Sequence, residues 1–294
     1  MFVPRKILEE RLKRMLAEDI GLGDVTTAAV VPSGLIVEAA VKAKEAGTSA
    51  GVEESVILAQ SLGLSVRTEV ADGEEFRKGQ VIMKISGDAR TVLSVERMIL
   101  NIVSRMSGIA TSTKGLTEKL KKAGVKAKIA ATRKTAPGLL YFDKKAVLIG
   151  GGDPHRLHLD DMILVKDNHI AVAGSIENAV KNAKKNASFS KKIEVEVARV
   201  TDVLEAAQAG ADVIMLDNFS PKQIKKAVEL LKKAGFFGKI MLEASGKITA
   251  ENLVEYASTQ VDVISLGELT HSVRALDLSL EITRVDDEGK KADL

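Results

Sequence analysis

Six short apolar runs in the second half of the sequence each end in residues that could bind a ligand or assist a reaction. These residues are Arg133 and Lys134, Lys166, Glu196, Asp217, Ser245 with Gly246, and Gly267 with Glu268. In parallel α/β folds, the carboxyl ends of the strands and the loops after them form the active-site face. The pattern therefore predicts that these groups converge on one mouth, whereas any one of them alone is as well explained as a solvated loop charge.

The cationic candidates indicate an anionic ligand. They are Arg133, Lys134, Arg156 and Lys166. Their side chains donate hydrogen bonds and accept none, and an arginine can hold a planar carboxylate through two parallel hydrogen bonds. We therefore expect a ligand that carries several negative groups.

Carboxylates and small residues complete the predicted site. Glu196 and Asp217 offer the oxygen ligands that hold Mg²⁺ beside a diphosphate, or that stabilise a developing positive charge. Ser245 with Gly246, and the SLGE segment that contains Gly267, offer small side chains and backbone N–H groups suited to a phosphate. Taken alone, these glycines are typical of ordinary loops.

The loop GGGDPHRLHLDD at 150–161 adds two more hydrogen-bond donors, His155 and Arg156. A dinucleotide-binding fingerprint fails here, because His155 stands where the third glycine of that motif would be. A zinc site built on His155 and His158 is a less favoured alternative, since no third ligand follows at a suitable spacing. We therefore assign His155 and Arg156 to the anion site.

The elements that must position these residues alternate between strand and helix. The six apolar runs are KIAATRKT, MILVKDNH, KIEVEVAR, DVIMLDNF, KIMLEASG and DVISLGEL. Helical segments such as VTDVLEAAQAG lie between most of them, and this alternation predicts a parallel sheet buried on both faces. Residues 109–274 hold fewer units than a complete eightfold barrel requires. We expect an α/β fold with an incomplete (β/α) barrel of six to seven strands, and an open doubly wound sheet is the alternative.

The N-terminal part predicts a separate α+β open-sandwich domain. Its first helix carries an apolar stripe of Ile7, Leu8, Leu12, Met15 and Leu16. Short apolar runs broken by turns follow over 35–85, and a second helical stripe over 91–107 is expected to end at Gly108. Leu276 to Ile282 alternate with polar residues and predict a strand that returns to this domain. The expected domains are 1–108 with 275–294, and 109–274, with a polar tail over the last ten residues.

Composition excludes several classes of function. Lys and Arg outnumber Asp and Glu by only 43 to 40, and aromatic residues are 3% with no Trp. Neither figure is typical of a nucleic-acid binder. The absence of Cys excludes disulfides and thiol catalysis, and no apolar stretch approaches the roughly 20 residues that span a bilayer. We expect a cytoplasmic protein that binds neither nucleic acid nor membrane.

Several motifs together resemble one enzyme family along nearly the whole chain. They are EDIGLGDVTT, ERMILNIVSRMSGIAT, the block from ATRKTAPGLLYF to ILVKDNH, EVEV, MLDN, EASGKIT and SLGELTHS. They resemble quinolinate phosphoribosyltransferase, also called nicotinate-nucleotide pyrophosphorylase (carboxylating). The resemblance implies transfer of phosphoribosyl from phosphoribosyl pyrophosphate to quinolinate, with release of pyrophosphate and CO₂ and formation of nicotinate mononucleotide in NAD synthesis.

The resemblance also implies roles for individual residues. It assigns the quinolinate pocket to Arg133, His155, Arg156 and Lys166, with Lys134 between that pocket and the diphosphate. It assigns Mg²⁺ and ribose to Glu196 and Asp217, and the 5-phosphate to Ser245, Gly246 and Gly267. It further implies a homodimer, or a higher oligomer built from dimers, in which Arg97 reaches the site of the neighbouring subunit. By itself, Arg97 is typical of a solvent-facing helix charge.

Three alternatives differ in what the site must bind. A related enzyme that uses nicotinate without decarboxylation needs no residues for a second carboxylate. A paralogue linked to molybdenum transport shares the expected fold. A non-enzymatic anion-binding protein needs the basic pocket but neither Glu196 nor Asp217.

Overall fold

The computed structural model describes residues 3–286, which divide into two compact units. The first contains 3–112, 148–150 and 273–286, and the second contains 113–147 and 151–272. None of the helices in the described range is long and apolar enough to cross a lipid bilayer.

The first unit combines helices with an antiparallel sheet. Its elements are α1 Arg5–Ile20, α2 Val25–Val30, β1 Ile36–Ala43, β2 Gly47–Thr48, α3 Val52–Ser61, β3 Ser65–Thr68, β4 Glu75–Phe76, β5 Val81–Asp88, the first part of α4 Ala89–Lys122, and β12 Leu278–Asp286. Strands β12, β1, β5 and β3 pair in that order. β12 runs antiparallel to β1 along its whole length, so the strand predicted to return to the N-terminal sheet is confirmed. The predicted first helix is confirmed as well, and it buries Leu8, Leu12 and Leu16.

The expected end of the long helix at Gly108 is wrong. α4 continues through this glycine to Lys122. A Cβ built on Gly108 would lie 2.1 Å from the backbone oxygen of Arg274, closer than any real contact. Gly108 therefore allows the returning C-terminal segment to approach the helix backbone, and its role is close packing, not helix termination.

The second unit alternates strands with helices. Its elements are β6 Lys128–Ala130, α5 Leu140–Ile149, β7 Ile163–Val165, α6 Asp167–Ala173, α7 Ile176–Asn186, β8 Ile193–Val197, α8 Val200–Ala209, β9 Val213–Asp217, α9 Pro221–Lys233, β10 Met241–Ser245, α10 Leu253–Ala257, β11 Val263–Ser265 and α11 Glu268–His271. All six apolar runs predicted as strands are strands. Every ladder between them is parallel.

The strand order is that of a barrel. From β7 to β11 each strand pairs with the next along the chain, and β11 then pairs with β6, the first strand of the unit. A doubly wound sheet would reverse direction at a switch point, and strands β7 to β11 step across this sheet in one direction only. The expected α/β barrel is therefore confirmed over the doubly wound alternative.

The barrel is incomplete between β6 and β7. In the described part of the chain these two strands are the edges of the sheet, and a single residue, Asp153, forms a parallel bridge to Ala130 on β6. Its N–H donates to the oxygen of Ile129 at 2.7 Å, and its oxygen accepts from the N–H of Ala131 at 2.9 Å. Six strands and one bridging residue agree with the expected six to seven strands.

Candidate active site

A cavity of about 430 Å³ opens at the carboxyl ends of the barrel strands. The residues that line it are Ala131, Thr132, Arg133, Lys134, His155, Arg156, Leu164, Lys166, Glu196, Met215, Asp217, Asn218, Glu243 and Ser245. The volume lies within the range usual for small-molecule sites. The predicted mouth is thus a real concavity, with charged groups of both signs on its wall.

The structure brings most of the predicted site residues together in this cavity. Those on its wall are Arg133, Lys134, His155, Arg156, Lys166, Glu196, Asp217 and Ser245. Gly246 follows Ser245 directly, and a Cβ on Gly267 would lie 3.2 Å from the side chain of Lys134, so both glycines adjoin the wall. Arg97 is different, because it is an exposed residue of α4 in the first unit and does not line the cavity.

Two cations near the mouth, Lys144 and Arg156, have their charged forms disfavoured by burial and by neighbouring cations. Lys144 on α5 is buried, and burial lowers its pKa to about 8; Asp153 partly opposes this, and the charges of Arg133 and Arg156 add to it. The pKa of Arg156 is lowered mainly by burial and then by the charge of Arg133. An anion bound between Arg133 and Arg156 would relieve this repulsion. The electrostatics therefore favour a negatively charged ligand on this side of the cavity.

Two carboxylates line the same mouth. The ammonium group of Lys166 donates to Glu196 Oε2, and both side chains are only partly buried. The side-chain amide of Asn218 donates to Asp217 Oδ2 at 2.8 Å. β8 and β9 are neighbours in the sheet, so Glu196 and Asp217 end adjacent strands. Their oxygens suit a hard cation or a developing positive charge.

The loops after β9 and β10 approach each other closely. The N–H of Asn218 donates to the oxygen of Ser245 at 2.8 Å. Gly246 has φ +89°, and a Cβ there would lie 2.4 Å from Asn218 Oδ1. A side chain larger than hydrogen would therefore both strain the backbone and displace Asn218. α10 begins only at Leu253, so the N–H groups around Gly246 belong to a loop and not to a helix terminus.

A second layer of polar residues lies beneath the mouth, inside the barrel, and the sequence reasoning missed it. His155 Nε2 lies 3.1 Å from Glu243 Oε2 and 3.6 Å from Glu194 Oε2. Both glutamates are buried, and their carboxyl groups are close enough to share a hydrogen bond when Glu194 carries a proton. Burial, helped by the charge of Glu243, holds the pKa of Glu194 well above its usual range. Glu194 therefore retains a proton over a wider pH range than an exposed glutamate.

The surroundings of His155 shift its pKa in opposite directions. Burial lowers its pKa, whereas the hydrogen bond to Glu243 and the negative charges of Glu243 and Glu194 raise it, and the net direction is upward. The backbone N–H of Arg156 nevertheless donates to His155 Nδ1 at 2.8 Å, which requires a lone pair on that nitrogen. This bond and the bond from Nε2 to Glu243 together favour the neutral ring with its proton on Nε2.

Two sequence signals could have revealed this layer. In IEVEV, the period-two alternation of a strand places Glu194 on the same inward face as Glu196. Glu243 precedes Ser245 by two residues on β10 and shares a face with it for the same reason. Lys144 lies in the otherwise largely apolar helix YFDKKAVLI. Charged residues at inward positions of buried elements are rare without a partner or a function.

The two histidines of the zinc alternative fall into different groups. His155 lies with Glu194 and Glu243, whereas His158 lies with Asp160 and Asp161. Asp161 accepts hydrogen bonds from the N–H groups of Leu157 and His158. This second group therefore orders the loop after Arg156.

Comparisons with known proteins agree along the chain. Residues 24–107 match the sequence model described as Quinolinate phosphoribosyl transferase, N-terminal domain, and 109–281 match that of the C-terminal domain. A probable nicotinate-nucleotide pyrophosphorylase [carboxylating] from Methanothermobacter thermautotrophicus is 44% identical over 92% of this chain and 97% of its own. The corresponding protein of Dictyostelium discoideum is 38% identical over 96% and 98%.

Solved structures show the same likeness. The crystal structure of NadC from Streptococcus pyogenes superposes with a TM-score of 0.87 at 35% identity, covering 97% of this chain and all of that one. The nicotinate-nucleotide pyrophosphorylase from Francisella tularensis gives 0.86 at 36% identity, covering 96% and 98%. Both likenesses extend over both units.

Proposed function

The chain belongs to the quinolinate phosphoribosyltransferase family, and we propose that its barrel cavity transfers phosphoribosyl from phosphoribosyl pyrophosphate to quinolinate with loss of CO₂. The product is nicotinate mononucleotide for NAD synthesis. One observation carries the proposal: one cavity is lined both by cations, here called the cationic wall (Arg133, Arg156 and Lys166), and by two carboxylates, here called the carboxylate wall (Glu196 and Asp217). A dicarboxylate acceptor needs the first, and a ribosyl diphosphate donor needs the second. The cysteine-free composition supports a cytoplasmic location as part of this proposal.

The cationic wall suits quinolinate. This substrate carries two ring carboxylates, and the repulsion between Arg133 and Arg156 is relieved when anions bind between them. Lys166 offers a further donor. A nicotinate-specific enzyme would have a single carboxylate to bind, so the density of cations favours the dicarboxylate.

The carboxylate wall suits Mg²⁺ held together with the diphosphate. Glu196 and Asp217 supply the hard oxygen donors that this ion prefers, and both line the cavity. They would hold it, and when bound it would supply charge neutralisation for the leaving diphosphate. A purely anion-binding protein has no need of these two carboxylates, which disfavours that alternative.

The mechanism is mainly electrostatic. Lys134 stabilises the negative charge that grows on the leaving diphosphate, and the carboxylate of Asp217 stabilises the positive charge that grows on the ribose as the pyridine nitrogen attacks. Ser245 and the backbone around Gly246 position the 5-phosphate. Once its nitrogen is quaternised, the electron pair of the breaking carbon–carboxylate bond stays on the adjacent ring carbon, stabilised by the positive nitrogen, and the carboxylate leaves as CO₂. A proton from solvent then forms the C–H bond of nicotinate mononucleotide at that carbon.

Each site in this proposal is completed by a second copy of the chain. Arg97 is exposed on α4 and lies outside the cavity wall of its own chain, which leaves it available to a neighbour. The family resemblance assigns it to the partner's site in a homodimer. Such an arrangement makes activity depend on assembly.

A product assay tests the proposed function. The protein is incubated with Mg²⁺, phosphoribosyl pyrophosphate and either quinolinate or nicotinate, and CO₂ and mononucleotide are measured. We expect mononucleotide and an equal amount of CO₂ from quinolinate, and neither product from nicotinate. Product from nicotinate alone would overturn the substrate assignment, and no product from either would support the anion-binding alternative.

Complementation tests the contribution of Arg97. Arg97→Ala and Lys134→Ala chains, each inactive alone, are co-expressed and assembled at random. If Arg97 acts in the partner's site, mixed dimers contain one intact site, and about a quarter of the wild-type activity returns. If Arg97 acts within its own chain, every site carries a defect and the mixture stays inactive.

A further inference from the structure

Both ring nitrogens of His155 are engaged by the protein. Nδ1 accepts the backbone N–H of Arg156 at 2.8 Å, and Nε2 lies 3.1 Å from Glu243 Oε2. In the neutral ring with its proton on Nε2, both are proper hydrogen bonds. His155 could therefore donate to a substrate carboxylate only by giving up the bond to Glu243. The ring is therefore held by the protein itself, and one of its two hydrogen bonds fixes the backbone N–H of Arg156.

The backbone at His155 is strained, and hydrogen bonds from Lys144 hold it in place. His155 has φ +54°, a left-handed conformation that is uncommon for residues with a side chain. The buried ammonium group of Lys144 donates to the backbone oxygens of Pro154 and of Arg156, the latter at 3.3 Å. Arg156 is thus held on two sides, through its oxygen by Lys144 and through its N–H by His155.

We propose that Glu243 is a positioning residue for the acceptor site: its carboxylate fixes the ring of His155, and the ring fixes the backbone that presents Arg156 to quinolinate. The inference rests on the proposed function and extends it to a residue that need not touch the substrate. Groups that orient a binding residue from behind commonly control affinity without taking part in the reaction.

Glu194 offers a matched comparison inside the same cluster. It is as buried as Glu243, but its Oε2 lies 3.6 Å from His155 Nε2, too far for a hydrogen bond. Of the two carboxylates, Glu243 alone has the geometry to set the proton position on the ring. Loss of the acceptor at position 243, and not at 194, should release His155.

Steady-state kinetics test this difference. Glu243→Met keeps the length of the side chain and removes the acceptor, so we expect the KM for quinolinate to rise about tenfold while the KM for phosphoribosyl pyrophosphate changes less than about twofold. Glu243→Gln keeps an amide oxygen that can accept from Nε2–H, and should restore the quinolinate KM. Glu194→Met should leave it unchanged. Equal rises in both KM values, or no rescue by glutamine, would overturn the proposal.

An independent readout does not depend on turnover. The chain has four histidines, so the ring nitrogens of His155 can be assigned by NMR through comparison with His155→Gln. We expect the neutral Nε2–H form in the wild type and in Glu194→Met, and a mixture of ring forms in Glu243→Met. An unchanged ring form in Glu243→Met would contradict the proposal. If the wild type makes no mononucleotide, the proposed function fails, and the ring measurement still decides whether Glu243 fixes His155.

Discussion

The barrel interior has an upper and a lower layer of polar residues, which contain similar residue types but differ in their exposure to solvent. The upper layer at the mouth contains Lys134, Lys166, Glu196 and Asp217, all partly or largely exposed. The lower layer contains Glu194, Glu243 and His155, of which the two glutamates are buried. Charges at the mouth can pair with a ligand or with water. Below the mouth, His155 and Glu243 still line the cavity but Glu194 does not, and burial leaves one carboxylate to hold the histidine and the other to keep its proton.

This difference in exposure separates residues that contribute directly to activity from residues that contribute to stability or act through a neighbouring residue. An upper-layer substitution should change activity and leave the stability of the fold nearly unchanged. A lower-layer substitution should change stability, or change activity only through the position of Arg156. Three substitutions test this separation.

The largest effect is expected at Lys134. Its side chain is exposed at the mouth, so Lys134→Ala should lower kcat by about 100-fold or more through loss of transition-state charge stabilisation, with an unchanged melting temperature. Lys128→Ala is the matched control, because Lys128 is an exposed lysine at the opposite end of the same barrel edge. Near-normal turnover in Lys134→Ala would contradict the assigned site.

A smaller effect is expected at Glu196. Glu196→Gln removes its ion pair with Lys166, and because the pair is partly exposed the stability should fall by less than about 1 kcal/mol. Activity should fall by about 10- to 100-fold, since the proposed cation site loses one of its two carboxylates. Titration of the activity with Mg²⁺ checks this, and a variant with an unchanged Mg²⁺ requirement would remove Glu196 from the cation site.

The smallest effect is expected from a substitution of Glu194, and this substitution should raise the stability of the fold, not lower it. Because burial raises its pKa in the folded protein, the folded state binds more protons than the unfolded chain, so stability is lost as pH rises above the ordinary glutamate range. Glu194→Gln cannot ionise and should be more stable at neutral pH by on the order of 1 kcal/mol. Melting temperatures between about pH 5 and pH 8 should diverge as pH rises. A constant difference would show that the carboxyl titrates normally.

Much of the site was predictable because each strand is identified by a local apolar run, and parallel pairing places the carboxyl end of every strand in the same way. The six apolar runs placed Arg133, Lys166 and Asp217 at strand ends, and parallel pairing then required those ends to share one edge of the sheet. The end of α4 was not predictable, because glycine at 108 has the same local signal whether it stops a helix or admits another backbone. Only the approach of Arg274 decides between these roles.

The sequence by itself determined the strand and helix units, the chemistry available at the strand ends and, through its motifs, the family. The tertiary structure decided which side chains become partners. From the sequence, His155 is one more donor in a glycine-rich loop, and its bond to Glu243 exists only because β10 and that loop meet inside the barrel. Hydrogen bonds and pKa values depend on distances of a few ångströms between residues far apart in the chain, and residue spacing does not encode those distances.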